Sequence, residues 1–280
     1  MTGFPTYTYD EKGIQERVDR ILSIEIPEKL RLQALKLILG SIDLTTLEAT
    51  DTEKKVTDLC RQAASFSSRN KQAPNVAAVC VYPHFAALVR KELENTGIRT
   101  ACVAAGFPSG QTSLPIKLME VSSVVIEGAQ EVDMVISRGK FLEGRIEDVG
   151  DEIRAIKAAC GEAHLKVILE TGELISVENI RKASEIALLA GADFLKTSTG
   201  KIKPAATPGA FLVMLDTIRD FHAISGRKVG IKAAGGIADA DAALQYYLLV
   251  REVLGNDWLN KDLFRIGASR LAEKVFSELQ

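Results

Sequence analysis

Eight short apolar, β-rich runs recur along this chain about every 30 residues, each followed by a helical pattern. They are SIDLTTL (41–47), NVAAVCVYP (75–83), RTACVAAGFP (99–108), EVDMVIS (131–137), LKVILET (165–171), ADFLKTSTGK (192–201), KVGIKAAGG (228–236) and LFRIGAS (263–269). Apolar residues run almost continuously through them rather than alternating, as in parallel strands covered on both faces. Eight βα units predict an α/β protein of one domain, a closed (β/α)8 TIM barrel. A doubly wound open sheet is the structural alternative. It would more naturally carry a GxGxxG turn after an early strand, and this chain has none. The 280 residues, 46% of them hydrophobic, suffice for one large core. Two further helical patterns come first: Ile14, Val18, Ile21 and Leu22, then a helix opened by Pro27 through Leu30, Leu32, Leu35 and Ile38. The expected division is an N-terminal helical extension over 1–40 and the barrel over 41–280.

A net charge of −2 gives no basic excess for nucleic acid or a membrane surface. No apolar stretch is long enough to span a bilayer, and the opening MTGFPTYTYDEKG is polar, unlike a signal peptide. Cys60, Cys80, Cys102 and Cys160 form no CxxC pair and no Cys/His cluster, so no zinc site is expected and a reducing cytoplasm fits. His84, His164 and His222 lack metal-ligand spacing and read as structural or exposed; Trp258 reads as packing.

Chemistry in such a barrel sits where strands end and βα loops begin. Charged residues lie inside the apolar runs: Asp43, Asp133, Lys166, Lys196 and Lys232. One reading is a structural ion network that fixes strand register. The other is a charged pocket. In that pocket Lys196, desolvated and made less basic, is a nucleophile able to form a Schiff base. Lys232 on the next strand adds a positive charge that lowers the Lys196 pKa further, and Asp133 moves protons through a water. Lys166 either joins this network or pairs with Asp133 or Glu170. Taken alone, Lys196 could also be a strand-end lysine reaching for water.

Loops seven and eight of barrels often bind phosphate. Here they carry Gly235–Gly236 and Gly267 with Ser269, whose place suggests the start of a helix facing an anion. Gly200 and Lys201 of loop six would complete the cradle. Each glycine could equally serve a turn.

Taken together, DLTTL, AAVCVYP, EVDMVIS, LKVILETGEL, DFLKTSTGK, GIKAAGG and IGAS, in this order, resemble the deoxyribose-phosphate aldolase family. The similarity runs from about Asp43 to the last helix. It implies a metal-independent class I aldolase on a TIM barrel, without cofactor. Such an enzyme cleaves 2-deoxy-D-ribose 5-phosphate reversibly to acetaldehyde and D-glyceraldehyde 3-phosphate. The resemblance makes Lys196 the Schiff-base lysine, Asp133 the proton-transfer residue and Lys232 the perturbing lysine. Gly200, Lys201, Gly235, Gly236 and Ser269 would hold phosphate, with Asp43 and Thr45 near the sugar hydroxyls. Arg270 departs from the family's commoner second serine; it either adds a bidentate phosphate contact or points outward. The expected partner is a small sugar phosphate, with no nucleic acid and no membrane. A homo-oligomer is expected, a dimer first, since twofold assemblies are the commonest. The competing readings are another Schiff-base aldolase or transaldolase, a silent sugar-phosphate-binding protein, and a flavin or phosphate-binding isomerase barrel without covalent chemistry.

Overall fold

In the computed structural model, which describes residues 3–280, the eight runs form a closed barrel of parallel strands paired in sequence order. The strands are β1 (Ile42–Thr45), β2 (Ala78–Val81), β3 (Arg99–Ala104), β4 (Glu131–Val135), β5 (His164–Ile168), β6 (Phe194–Lys196), β7 (Gly230–Ala234) and β8 (Phe264–Ala268). Closure comes from β8 lying beside β1, with Asp43 opposite Gly267. Each strand is shorter than its apolar run, because the run's ends leave the ladder to build loops. Helix starts are fixed by side-chain caps. Thr52 accepts from the Lys55 N–H at 3.2 Å, Ser176 from Asn179 at 3.1 Å, Thr207 from Ala210 at 3.3 Å and Asp239 from Ala242 at 2.9 Å.

Alternation along the strands sorts the side chains into two layers. Leu44, Val79, Cys102, Val132, Leu165, Val167, Leu195, Ile231 and Ile266 belong to the large core between barrel and helices. The interior is divided. On the β2–β3 side it holds Ala78, Cys80, Ala101 and Val103, which cluster with Leu47. On the remaining strands it holds Asp43, Glu131, Asp133, Lys166, Lys196, Lys232 and Arg265, all buried. Barrel interiors are ordinarily packed with branched aliphatic residues. Seven buried ionisable groups in their place incur a large desolvation cost, offset only if every charge is paired.

Two helices precede β1. Glu11–Leu22 is capped by Asp10, and Glu28–Gly40 follows Pro27. The first packs on the helices Pro208–Ser225 and Ala240–Leu254, the second on Ala240–Leu254 and Leu271–Ser277. Trp258 is buried, its indole N–H donating to the Val229 carbonyl at 2.9 Å. All four cysteines are free and buried. Among the described residues, no helix is long and apolar enough to cross a membrane.

Candidate active site

Register brings the charges together. Lys196 on β6 lies opposite Lys232 on β7, and Asp133 on β4 opposite Lys166 on β5. One oxygen of Asp133, Oδ2, accepts from Lys196 Nζ at 2.7 Å and from Lys232 Nζ at 2.8 Å. Its Oδ1 accepts from Lys166 Nζ at 2.9 Å. Lys232 also reaches Asp43 Oδ2 at 2.5 Å, and Arg265 reaches Asp43 Oδ1 at 2.5 Å. Below them Glu131 takes Lys166 at 2.6 Å and a two-pronged contact from Arg265 at 2.7 and 3.1 Å. Two glycines make room. A Cβ on Gly267 would stand 2.9 Å from Lys232 Cε, and one on Gly230 would stand 2.3 Å from the Phe194 ring.

The charge count of this network decides its chemistry. Lys166, Lys196, Lys232 and Arg265 face Asp43, Glu131 and Asp133; Glu131 also takes the partly exposed Arg99 at 2.9 Å, whose charge Asp262 meets at 2.7 Å. With every group ionised the cluster carries one excess positive charge, and buried charge without a counterion is costly. Burial pulls the Lys196 pKa down, and repulsion from Lys232 adds to this while Asp133 opposes it; the balance lies below the ordinary lysine value. For Lys232 and Lys166, burial acts in the same direction but is outweighed. Asp133 and Asp43 raise the Lys232 pKa; Asp133, Glu131 and Asp43 raise that of Lys166. Burial alone would make Asp133 a weaker acid, yet Lys166, Lys196 and Lys232 hold it well below the ordinary carboxylate range. The group that gives up its proton most readily is therefore Lys196. Desolvation is the larger cause of the lowering and repulsion from Lys232 the smaller.

The hydroxyls after Lys196 are spent on holding the loop. Thr197 and Ser198 donate to the Ala234 carbonyl, at 3.2 and 2.5 Å, and Thr197 Oγ1 accepts from the Ala234 N–H at 3.0 Å. Gly200, Gly235 and Gly236 all have positive φ, at 78°, 85° and 83°. Loops six and seven touch through them: a Cβ on Gly235 would stand 3.1 Å from Gly200 Cα and 2.6 Å from Ala205 Cβ. Gly236 is exposed, with no heavy atom within 4 Å of a would-be Cβ. Because Ala234 lies opposite Gly267, Gly235–Gly236 and Ser269 leave neighbouring strands at the same end of the barrel. Lys201 reaches across to loop one, donating to the Leu47 carbonyl and lying 3.3 Å from Glu48 Oε1.

Three expectations meet a different arrangement. Ser269 does not open the last helix: Arg270 occupies the cap position and the helix runs Leu271–Ser277. Lys166 does not pair with Glu170. Parity along β5 would put both on one face, but Glu170 turns left-handed at φ 57° and points to Thr199 instead. Asp43 spends both oxygens on Lys232 and Arg265, whereas Thr45, half-buried, donates its hydroxyl to the Asp43 carbonyl at 2.8 Å. Arg270 is exposed and makes no ion pair among the described residues. Sequence reasoning missed Glu131 and Arg265. The available signal was parity, since Glu131 shares a face with Asp133, and Arg265 with Gly267.

The profile of the DeoC/LacD family aldolases matches residues 37–248. The chain belongs to that family. It is 47% identical over 244 residues to the human deoxyribose-phosphate aldolase, covering 84% of this chain and 77% of that protein. It is 45% identical over 261 residues to the bovine one, covering 89% and 82%. The solved structure of a deoxyribose phosphate aldolase from Aeropyrum pernix, described as tetrameric, superposes with a TM-score of 0.70. That alignment has 26% identity and covers 90% of this chain and 98% of that one. The barrel is thus the architecture of DeoC aldolases, and the chain is an aldolase of this family. Among the described residues no group of three or more His, Cys, Asp or Glu side chains is arranged to hold a metal ion. The carboxylates inside the barrel are engaged by ammonium and guanidinium groups.

Proposed function

We propose that this aldolase cleaves 2-deoxy-D-ribose 5-phosphate reversibly to acetaldehyde and D-glyceraldehyde 3-phosphate through a Schiff base on Lys196. The observation that carries the reading is a buried lysine of lowered basicity, 2.7 Å from Asp133 and beside a second lysine. The names of the human and bovine relatives support the substrate.

The neutral amine of Lys196 adds to C1 of the open-chain sugar, and loss of water gives an iminium. The iminium draws the C2–C3 bonding pair into an enamine as the C3 hydroxyl gives its proton to Asp133, directly or through a water. Glyceraldehyde 3-phosphate leaves. The enamine is protonated at its terminal carbon, and water releases acetaldehyde and the free amine. Asp133 keeps its charge beside Lys166 and Lys232, so it holds the proton only in passing. Asp43 fixes Lys232, and Thr45 at the mouth is assigned to a sugar hydroxyl. The small apolar wall of Ala78, Cys80, Ala101 and Val103 suits a donor fragment without hydroxyl groups, since a hydroxyl buried there would lack a partner.

Gly200, Lys201, Gly235, Gly236 and Ser269 are assigned to the phosphate. This places binding energy away from the bond that breaks. The functional division is a helical extension over 1–40 and a catalytic barrel over 41–280. The assembly is a homo-oligomer, a dimer in the first instance; the exposed Ile116, Met119 and Ile126 of the helix Leu114–Ile126 support a contact surface there. Buried free thiols favour a reducing compartment such as the cytoplasm.

The test is cleavage of 2-deoxy-D-ribose 5-phosphate, followed by release of both aldehydes. Turnover is expected in the native enzyme and not in Lys196→Ala. Turnover of a different phosphorylated sugar with none of this one would overturn the assignment.

A further inference from the structure

Glu170 is a buried acid at the site that the bond-breaking chemistry does not use. It follows β5 in a left-handed conformation, φ 57° and ψ 58°. A non-glycine residue keeps such a conformation only where its surroundings hold it. The turn takes its carboxylate out of the row of Lys166 and onto loop six. There Oε1 accepts from the Thr199 N–H at 3.1 Å and Oε2 from the Thr199 hydroxyl at 2.5 Å. One carboxylate thus fixes both the backbone and the side chain of a single residue.

The direction of the chain of bonds follows. An ionised carboxylate only accepts, so the Thr199 hydroxyl must donate to it. Its lone pair is then free to accept from the Lys201 N–H, which lies 3.1 Å away. Between them Gly200, left-handed at φ 78°, is the residue that meets Gly235. Behind Glu170 stands Arg138, 3.4 Å from Oε2, donating also to the carbonyls of Pro108 and Ser109 at 3.1 Å each. Glu170 is therefore the junction through which loops three and four brace loop six. It makes no hydrogen bond to Lys166, Lys196 or Lys232 among the described residues.

We propose that Glu170 is a positioning residue that holds the Gly200–Lys201 segment in its phosphate-gripping geometry, and so sets the preference for the phosphorylated over the free sugar. This rests on the substrate reading above. A residue that merely stabilised the fold would lower activity toward both sugars alike. A residue that acts through the phosphate loop changes their ratio.

The experiment measures kcat/KM for 2-deoxy-D-ribose 5-phosphate and for 2-deoxy-D-ribose in the native enzyme, Glu170→Gln, Thr199→Val and the double variant. Loss of a hydrogen bond to a charged group corresponds to about 10-fold or more. The phosphorylated-to-free ratio is expected to fall by at least that in each single variant, mainly through KM for the phosphorylated sugar. The double variant is expected to fall little further, because both changes cut one chain of bonds. A ratio within threefold of the native one would overturn the proposal. Should Glu170→Gln not fold, Thr199→Val alone decides on the same criterion. Borohydride trapping of acetaldehyde, which needs no phosphate, separates the two failures. Folded Glu170→Gln is expected to trap it, and loss of trapping there would overturn the proposal. Failure of the native enzyme to trap would instead remove the aldolase mechanism beneath it.

Discussion

Replacing Lys232 by Met removes one charge from the barrel interior while keeping most of the stem's volume. In the native network Lys166, Lys196, Lys232 and Arg265 outnumber Asp43, Glu131 and Asp133 by one. A neutral Lys196 balances them. Without Lys232, balance requires a protonated Lys196. The size follows from geometry. Lys196 and Lys232 both contact Asp133 Oδ2, at 2.7 and 2.8 Å, so their nitrogens stand no more than about 5.5 Å apart, and their repulsion is about 3 kcal/mol at an effective dielectric constant of about 20. That energy corresponds to roughly 100-fold in the fraction of neutral amine. Asp133, losing one partner, holds Lys196 more tightly and acts in the same direction. Activity near pH 7 is therefore expected to fall roughly 10- to 100-fold. The distinctive sign is in the pH profile. Because the Lys196 pKa rises toward its ordinary value, the acid limb of kcat/KM moves to higher pH, and part of the loss is recovered in alkali. Profiles of native enzyme and Lys232→Met measured from acid to alkaline pH check this. A loss of the same factor at every pH, with the acid limb unmoved, would refute the electrostatic argument and leave Lys232 a purely structural role.

Other perturbations probe the same network. Arg265→Met leaves Asp43 and Glu131 buried without the guanidinium that binds both, and a loss of about 3–5 kcal/mol is expected in urea unfolding; a loss under about 1 kcal/mol would contradict the pairing. Gly267→Ala sets a methyl 2.9 Å from Lys232 Cε; a tenfold or larger fall in kcat is expected, with about 1–3 kcal/mol of destabilisation from overpacking. Acid stability follows Glu131. Burial would raise its pKa, but Lys166 and Arg265 hold it down to about 2, from 4.5. A lowered carboxylate pKa gives stability that is complete above about 4.5 and lost as pH falls toward 2. Melting temperatures measured down through this window are expected to drop, less steeply in Glu131→Gln; equal slopes would count against it.

How much could be read from the chain depended on how far the information travels in space. Strand number and order were legible because each apolar run is local, and Lys196, Asp133 and Lys232 stood out as charges inside such runs. Arg265 and Glu131 are equally buried but sit near strand starts, where a charge looks like surface. Their partners lie across the barrel, Arg265 pairing with residues 222 and 134 positions away. Of the partners open to Lys166, Glu170 drops out because parity fails at a left-handed residue, and nothing in ILETGEL marks that turn. Ser269 lies one position before the cap of the last helix, Arg270. β6 is shorter than its apolar run: the backbone of Thr197 still bonds Lys232 and Thr171, but the hydroxyls that follow turn to Ala234 and Glu170 and shape the loop.

The central claim is that Lys196, and neither of the other two buried lysines of the barrel interior, is the reactive amine. Acetaldehyde followed by borohydride, with intact mass and a peptide map, tests it most directly. One ethyl group is expected, on the peptide carrying Lys196, and none in Lys196→Ala. An ethyl group on Lys232 or Lys166, or no adduct on the folded protein, would contradict it.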